Sequence, residues 1–209
     1  MTDNFCISNG DYVINTTPTH YVDIGATDKW QREVYMFARD FCLKNSLKSV
    51  VDVGCGDGYK LVQYLGHMKT IGVETEPCIS YLKKTYPDRV WVESGESEKS
   101  FINPTKDMTT DTDMVICSDV IEHILNPDSL VEFLLSIRAK YYILSTPCRD
   151  VLVNKFNSNP NGPPGNSAHV REWSMDEFKK YISKWFLILE SHHAPIQIEC
   201  QYHLLTLRV

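Results

Sequence analysis

Two kinds of hydrophobic spacing alternate along the chain. Short runs of consecutive apolar residues are typical of buried strands, whereas apolar positions three or four residues apart are typical of helices that pack one face on a sheet. The apolar runs predict strands over residues 49–53, 70–74, 90–93, 113–117 and 141–145. The helical spacing predicts helices over 28–44 and 59–65, a helix from Pro77 onward, and a helix through 130–137.

The last third of the chain follows a different pattern. Ser174 and Glu177 have the spacing of a capping box, which predicts a helix that begins just after Ser174. Beyond it, apolar runs over 185–189 and 197–209 predict an antiparallel hairpin. Segment 94–112 is polar and is assigned to the surface, and 157–166, which is rich in Asn, Gly and Pro, is assigned to a loop.

This order of elements predicts an α/β fold. Strands that alternate with helices form a mostly parallel sheet through right-handed crossovers, with helices on both faces. In such sheets, ligands bind beyond the carboxyl ends of the strands. We expect a helical or lid-like segment over residues 1–45 and a core domain over 46–209, with an acceptor loop at about 148–173.

Composition narrows the class of protein. The formal charge of −6 disfavours a broad nucleic-acid interface, because phosphate binding needs clustered Lys and Arg. Seven cysteines without CxxC pairs are typical of reduced, structural usage. No apolar stretch is long enough for a membrane span. We therefore expect a soluble cytoplasmic protein, and the sequence leaves its oligomeric state open.

The most informative motif is the glycine loop that follows the first predicted strand. In VVDVGCGDG, residues 50–58, the spacing of Gly54, Gly56 and Gly58 differs from the G-x-G-x-x-G that grips a pyrophosphate. The carboxylate of Asp52 suits a cationic ligand, such as the amino or sulfonium group of S-adenosylmethionine. Glu74 ends the second predicted strand, where an acidic side chain can accept hydrogen bonds from both hydroxyls of a ribose.

These motifs resemble those of the class I S-adenosylmethionine-dependent methyltransferases. Further matches are CSDVIEH over 117–123 and Ser-Thr-Pro over 145–147. The resemblance implies a Rossmann-like, doubly wound, seven-stranded, mostly parallel sheet with a C-terminal antiparallel hairpin. It also implies an enzyme that binds S-adenosylmethionine, releases S-adenosylhomocysteine and contacts the cofactor through Asp52, Gly54, Cys55, Gly56, Glu74, Ser118 and Asp119.

Within this class, DVIEH, STP and the later HVREW are similar to a branch that includes ubiquinone-pathway O-methyltransferases and natural-product or sugar methyltransferases. They are also similar to small-RNA terminal ribose methyltransferases, in which two carboxylates and two histidines hold a divalent metal. The matching residues are Asp119, Glu122, His123 and His169, and a helix would put the first three on one face. Asp119 is one methylene shorter than the Glu of that pattern, so a metal is left open but not favoured.

The leading hypothesis is O-methylation of a small hydroxylated acceptor, such as a sugar or another metabolite. A hydroxyl acceptor needs a base, and His123 and His169 are the candidates because neutral imidazole titrates near working pH. The alternatives are metal-assisted 2'-O-methylation of an RNA terminal ribose and a non-catalytic, cofactor-binding scaffold subunit. A nicotinamide-dependent reductase is disfavoured by the glycine spacing.

Four further aromatic or basic residues lie close to these motifs in the sequence. We expect Trp173 to act as the hydrophobic staple of the Ser174 helix. The role of Arg171, beside it in the acceptor loop, stays open. Trp30 and Tyr35 are expected to pack in the core.

Overall fold

The computed structural model of the protein describes residues 5–25, 27–96, 101–102 and 112–208. The strands are β1 Ser49–Val53, β2 Lys69–Glu74, β3 Val90–Glu93, β4 Gly95–Glu96, β5 Phe101–Ile102, β6 Met114–Ser118, β7 Tyr141–Pro147, β8 Phe186–His193 and β9 Cys200–Leu207. The helices are α1 Arg32–Lys44, α2 Tyr59–Leu65, α3 Cys78–Thr85, α4 Pro127–Ile137, α5 Arg149–Phe156 and α6 Met175–Ile182, with a 3-10 turn at Ile121–His123.

The main sheet has seven strands in the order β3-β2-β1-β6-β7-β9-β8. In this sheet β3, β2, β1, β6 and β7 pair in parallel, and β9 is inserted antiparallel between β7 and β8. The predicted α/β fold with a C-terminal antiparallel hairpin is therefore confirmed. Chain order reverses between β1 and β6, and at such a position the loops after the two strands separate and leave a crevice.

Alternate residues of the central strands build two separate cores. Val51 of β1 and Val115 of β6 face one side, where they join a cluster with residues of α4 and α6. Val50 and Ile116 face the other side, where they join residues of α1, α2 and α3. Because side chains alternate across a strand, helices on both faces are needed to bury these apolar strands.

The start of α6 is fixed by local interactions that the sequence predicts. The Ser174 hydroxyl accepts from the Glu177 amide, while the Glu177 carboxylate accepts from the Ser174 amide. Trp173 is fully buried, and its ring lies 5.5 Å from that of Phe178. The capping box and the hydrophobic staple are both confirmed.

Some elements differ from the prediction. Helix α5 lies in the expected acceptor loop and was not predicted, because few of its residues are buried and its apolar positions form no clear stripe. Helix α1 begins at Arg32 rather than at residue 28. Within the polar segment 94–112, β4 pairs with β5, and residues 97–100 and 103–111 lie outside the described part of the chain.

Two expectations from composition can be compared with the structure. All seven cysteines are free, and only Cys6 is not fully buried. Across the described ranges, each helix is too short or too polar to cross a lipid bilayer.

We expect Ser174→Ala to lower the free energy of unfolding by about 1 kcal/mol, because the first turn of α6 loses its side-chain cap. Urea denaturation of the two proteins measures this difference. Ser174→Asp serves as the control because its carboxylate can cap the same amide. If Ser174→Ala were as stable as the wild type, the capping box would not stabilise α6.

Candidate active site

The carboxyl ends of β1, β2 and β6 surround a cavity of about 470 Å³. Parallel pairing of β1 with both neighbours brings these ends to one edge of the sheet. The cavity is large enough for a nucleoside-sized cofactor. Of the residues predicted to contact the cofactor, those that line it are Gly54, Gly56, Glu74, Ser118 and Asp119.

The glycine loop leaves its backbone open to this cavity. Gly54 and Gly56 have φ values of 74° and 58°, in the left-handed region that glycine adopts without strain. A side chain at Gly54 would overlap with Val120, and one at Gly56 would come within 2.8 Å of the Asp23 carboxylate. Both positions therefore need glycine.

Glu74 is held at the end of β2 by two backbone amides. Its Oε2 accepts from the Gly56 amide at 2.6 Å, and its Oε1 accepts from the Thr75 amide at 2.8 Å. The side chain is only half buried, so it still faces the cavity. A carboxylate fixed in this way can accept from the hydroxyls of a ribose.

Two predicted cofactor residues are not among those that line the cavity. Asp52 is fully buried and accepts a 2.8 Å hydrogen bond from the hydroxyl of Tyr35, which itself lines the cavity. Burial raises the pKa of Asp52 to about 7, and its Oδ1 has no hydrogen-bond partner. Cys55 packs in the core, where burial raises the pKa of its thiol well above the usual value.

Asp119 follows β6 with a left-handed backbone, at a φ of 53°. One carboxylate oxygen accepts from the Ser145 hydroxyl at 2.6 Å, and the other accepts from the Gln31 side chain at 2.9 Å. The Ser118 hydroxyl lies 2.7 Å from that of Ser145. Hydrogen bonds thus connect Asp119 both to β7 of the sheet and to Gln31, the residue that precedes α1.

A second cavity of about 430 Å³ adjoins the first. The two share the lining residues Tyr21, Gln31, Asp119 and His123. The second also reaches His169, in the loop after α5. The structure therefore brings both histidines singled out in the sequence to the same place.

His123 and His169 have different surroundings. Nδ1 of His123 lies 2.8 Å from the Ala168 carbonyl, and burial lowers the pKa of this imidazole to about 4. In His169, Nδ1 lies 2.8 Å from the Glu172 carboxylate and Nε2 lies 3.0 Å from the Asn166 amide. Sequence reasoning missed Glu172 and Asn166, although both lie three residues from His169.

Glu122 lies beside the two imidazoles with one carboxylate oxygen unsatisfied. The residue is fully buried, Oε2 accepts from the Thr146 hydroxyl at 3.1 Å, and Oε1 has no hydrogen-bond partner. Burial raises its pKa well above the usual value. Ligand atoms from Glu122, His123 and His169 all lie within 4.8 Å of one another, so these residues could hold a metal ion.

Asp119 does not belong to this group of candidate metal ligands. A helix over this segment would put it on one face with Glu122 and His123. The helical turn covers only Ile121–His123, and the left-handed backbone at Asp119 breaks the periodicity. The condition for a shared helical face is therefore not met.

The structure also shows where three aromatic or basic residues outside this cluster lie. Arg171 is buried and donates to the carbonyls of Ile124 and Leu125 at 2.9 and 2.7 Å, so it holds the loop after β6. Tyr35 is buried, as predicted. The expected core position of Trp30 is wrong, because the residue is 42% exposed and lines the second cavity.

The doubly wound sheet, the glycine loop and the acidic side chain after β2 match the class I S-adenosylmethionine-dependent methyltransferases that the sequence motifs resemble. The chain belongs to the family described as "Methyltransferase domain", whose model matches residues 27–187. It is therefore a methyltransferase with S-adenosylmethionine as its cofactor. The first cavity fits that cofactor, since its acidic lining suits a sulfonium and its glycines leave room for close approach. No sequence among curated proteins matches the chain.

Solved structures share the fold at low sequence identity. An S-adenosylmethionine-dependent methyltransferase from Clostridium acetobutylicum is 14% identical with a TM-score of 0.62, over 87% of this chain and 94% of that one. The small RNA methyltransferase HEN1 is 20% identical with a TM-score of 0.62, over 92% of this chain but 27% of that one. Magnesium protoporphyrin IX methyltransferase from Synechocystis is 13% identical with a TM-score of 0.60, over 85% and 84%.

We expect Glu74→Gln to weaken S-adenosylhomocysteine binding about tenfold, because an amide replaces one of the carboxylate oxygens that can accept from ribose hydroxyls. Calorimetric titration measures the affinity. Glu93→Gln is the matched control, since Glu93 pairs with Glu74 in the sheet register but does not line the cavity. Equal affinity in Glu74→Gln and the wild type would exclude Glu74 from cofactor binding.

Proposed function

We propose that the protein transfers the methyl group of S-adenosylmethionine to a hydroxyl of a small acceptor, such as a sugar or another hydroxylated metabolite. The observation that carries the proposal is the second cavity, which adjoins the cofactor cavity and has His123 and His169 on its wall. Their ring centroids are 4.9 Å apart. An acceptor in this cavity would face both the methyl group and a base.

Methyl transfer requires the protein to position the acceptor and to remove a proton from it. The sulfonium is already a good leaving group, so the protein must align the acceptor oxygen with the methyl carbon. We place the cofactor on the glycine loop and Glu74, with its methionine half along Ser118 and Asp119. The methyl group then points towards the second cavity.

His169 is the better candidate for the base. A carboxylate can only accept a hydrogen bond, so Glu172 places the His169 proton on Nδ1 and leaves a lone pair on Nε2. That nitrogen takes the hydroxyl proton as the methyl group is transferred. The Asn166 amide, which now donates to Nε2, gives way to the acceptor hydroxyl.

His123 is better suited to holding the acceptor than to deprotonating it. The Ala168 carbonyl accepts from Nδ1, so Nε2 has a free lone pair. With a pKa lowered to about 4, the ring is neutral at working pH and only weakly basic. It can therefore accept a hydrogen bond from a second acceptor hydroxyl.

The N-terminal segment and the loop after α5 form the outer wall of the site in this proposal. Three backbone hydrogen bonds of 2.8–3.0 Å join them, from Val13 to Asn161, from Asn15 to Val170 and from Thr19 to Ser167. We assign residues 1–45 as the lid and 148–173 as the acceptor loop of the core 46–209. The free cysteines support a reducing compartment, and we place the reaction in the cytoplasm.

We expect His169→Ala to lower kcat by roughly 10²- to 10⁴-fold, because the acceptor hydroxyl loses its base. Cofactor affinity should stay unchanged, since His169 lines only the second cavity. Steady-state methyl transfer and calorimetry with S-adenosylhomocysteine measure the two quantities separately.

His67→Ala is the control for this experiment, because that histidine is exposed and lies on neither cavity wall. Glu172→Gln should lose part of the activity, since a carboxamide holds the imidazole less firmly. Undiminished turnover in His169→Ala would remove His169 from the mechanism.

A second candidate function is metal-assisted methylation of an RNA terminal ribose. Two observations favour it: the ligand atoms of Glu122, His123 and His169 converge within 4.8 Å, and the fold is similar to that of the small RNA methyltransferase HEN1. One carboxylate and two imidazoles fit a divalent transition metal better than Mg²⁺. Such an ion would act as a Lewis acid on the acceptor oxygen.

Chelation separates the two candidates. If His169 alone removes the proton, turnover of the acceptor should survive exhaustive treatment with EDTA. Loss of turnover on chelation, with recovery on addition of Mn²⁺ but not in Glu122→Gln, would favour the metal-assisted reaction and contradict the first candidate. A parallel measurement of cofactor affinity checks that EDTA leaves the first cavity intact.

A further inference from the structure

The second cavity has an acidic lining. Its lining includes the carboxylates of Asp119, Glu122, Glu172 and Glu199, and its described part has no Lys or Arg. Both histidines are on the same wall. The carboxylates of Asp119, Glu172 and Glu199 repel an anionic group that enters this space.

One of these carboxylates needs a partner from the ligand. Oε1 of Glu122 has no hydrogen bond although the residue is fully buried and lines the cavity. A buried polar atom without a partner is costly, and a ligand that supplies the missing hydrogen bond recovers that cost. A hydroxyl both donates and accepts, so it can pair with this oxygen whether or not the carboxyl carries a proton.

An aromatic surface lies on the same cavity. Trp30 is 42% exposed, and the ammonium of Lys29 lies 4.8 Å from its ring centroid, over one face. Tyr21, which is 54% exposed, stacks on His123 with 5.8 Å between ring centroids. Exposed aromatic rings beside hydrogen-bonding groups suit a ring with polar edges and an apolar face.

We propose that the acceptor is a sugar ring with free hydroxyls and without negative charge, held by the carboxylates through its hydroxyls and by Trp30 through its ring. This inference rests on the proposed O-methylation and narrows its substrate class. It assigns Trp30 and Glu199 as specificity-determining residues. Glu199 is half buried on the cavity wall, where its charge opposes an anionic substituent.

The test is methyl transfer to a matched set of acceptors built on one sugar: the methyl glycoside, the amino sugar, the 6-phosphate and the uronic acid. We expect kcat/KM for the two anionic members to be lower than for the two others by about tenfold or more, because like charges repel in the cavity. Glu199→Lys should narrow that gap. Glu132→Lys, on the exposed face of α4, makes the same charge change away from the cavity and should leave the gap unchanged.

A second variant tests the stacking role. Trp30→Ala should raise KM for the neutral sugar with little change in kcat, and Trp30→Phe should restore most of the affinity. The exposed position of Trp30 makes misfolding of these variants a minor concern, and circular dichroism checks it. Equal KM in Trp30→Ala and the wild type would contradict a ring-binding role.

The results of these assays distinguish a failure of the sugar proposal from a failure of the proposed O-methylation. Turnover of the phosphate or uronic acid equal to or above that of the neutral sugar overturns the inference but leaves O-methylation standing. Methylation of quinols or RNA ends, with no methylation of any sugar, also overturns the inference and leaves O-methylation standing. Methyl transfer only to nitrogen or carbon atoms of any acceptor, or none at all, overturns both.

Discussion

The cofactor cavity depends on the parallel pairing of β1 with β2 on one side and β6 on the other. Because the strands run in the same direction, the glycine loop, Glu74 and Asp119 emerge at one edge of the sheet. The apolar residues of β1 and β6 are buried on both faces, so a one-residue slip in register would move each side chain into the opposite core and disrupt the packing of both. The hydrophobic core therefore fixes the relative positions of the glycine loop, Glu74 and Asp119.

Two buried carboxyl groups, each with an oxygen that has no hydrogen-bond partner, lie beside the two cavities. Asp52 and Glu122 are both fully buried, and each leaves one oxygen without a partner. Burial raises the pKa of both groups, which makes their charge sensitive to what binds nearby. Asp52 contacts the cofactor cavity through Tyr35, and Glu122 lies on the wall of the second cavity. Such unsatisfied groups are costly for folding, and binding sites are where proteins tolerate that cost.

Much of the fold could be predicted because its signals are local. The apolar runs of β1 and β3, the capping box at Ser174 and the glycine loop each reside in fewer than about ten consecutive residues, where periodicity and turn chemistry act. The predicted α/β fold followed from these signals, and the seven-stranded sheet followed from the resemblance of the glycine loop and the later motifs to the methyltransferases. Helix α5 was missed because its residues form no apolar stripe.

The errors at the site arose where tertiary structure overrides local pattern. Asp119 looked like part of a helical face, but its left-handed backbone and its hydrogen bonds to Ser145 and Gln31 take it out of the group around Glu122. Trp30 has the spacing of a core residue, yet it lines a cavity whose other wall comes from a distant loop. Glu172 and Asn166 had no sequence signal of their own, because their roles come from contact with His169.

A crystal structure of the protein with S-adenosylhomocysteine tests most directly whether the methyl group is presented to the cavity that holds His123 and His169. In that structure we expect the ribose hydroxyls to lie on Glu74 and the sulfur to face the junction of the two cavities beside Asp119. A sulfur atom that faces away from the histidines, or a cofactor bound elsewhere, would contradict it.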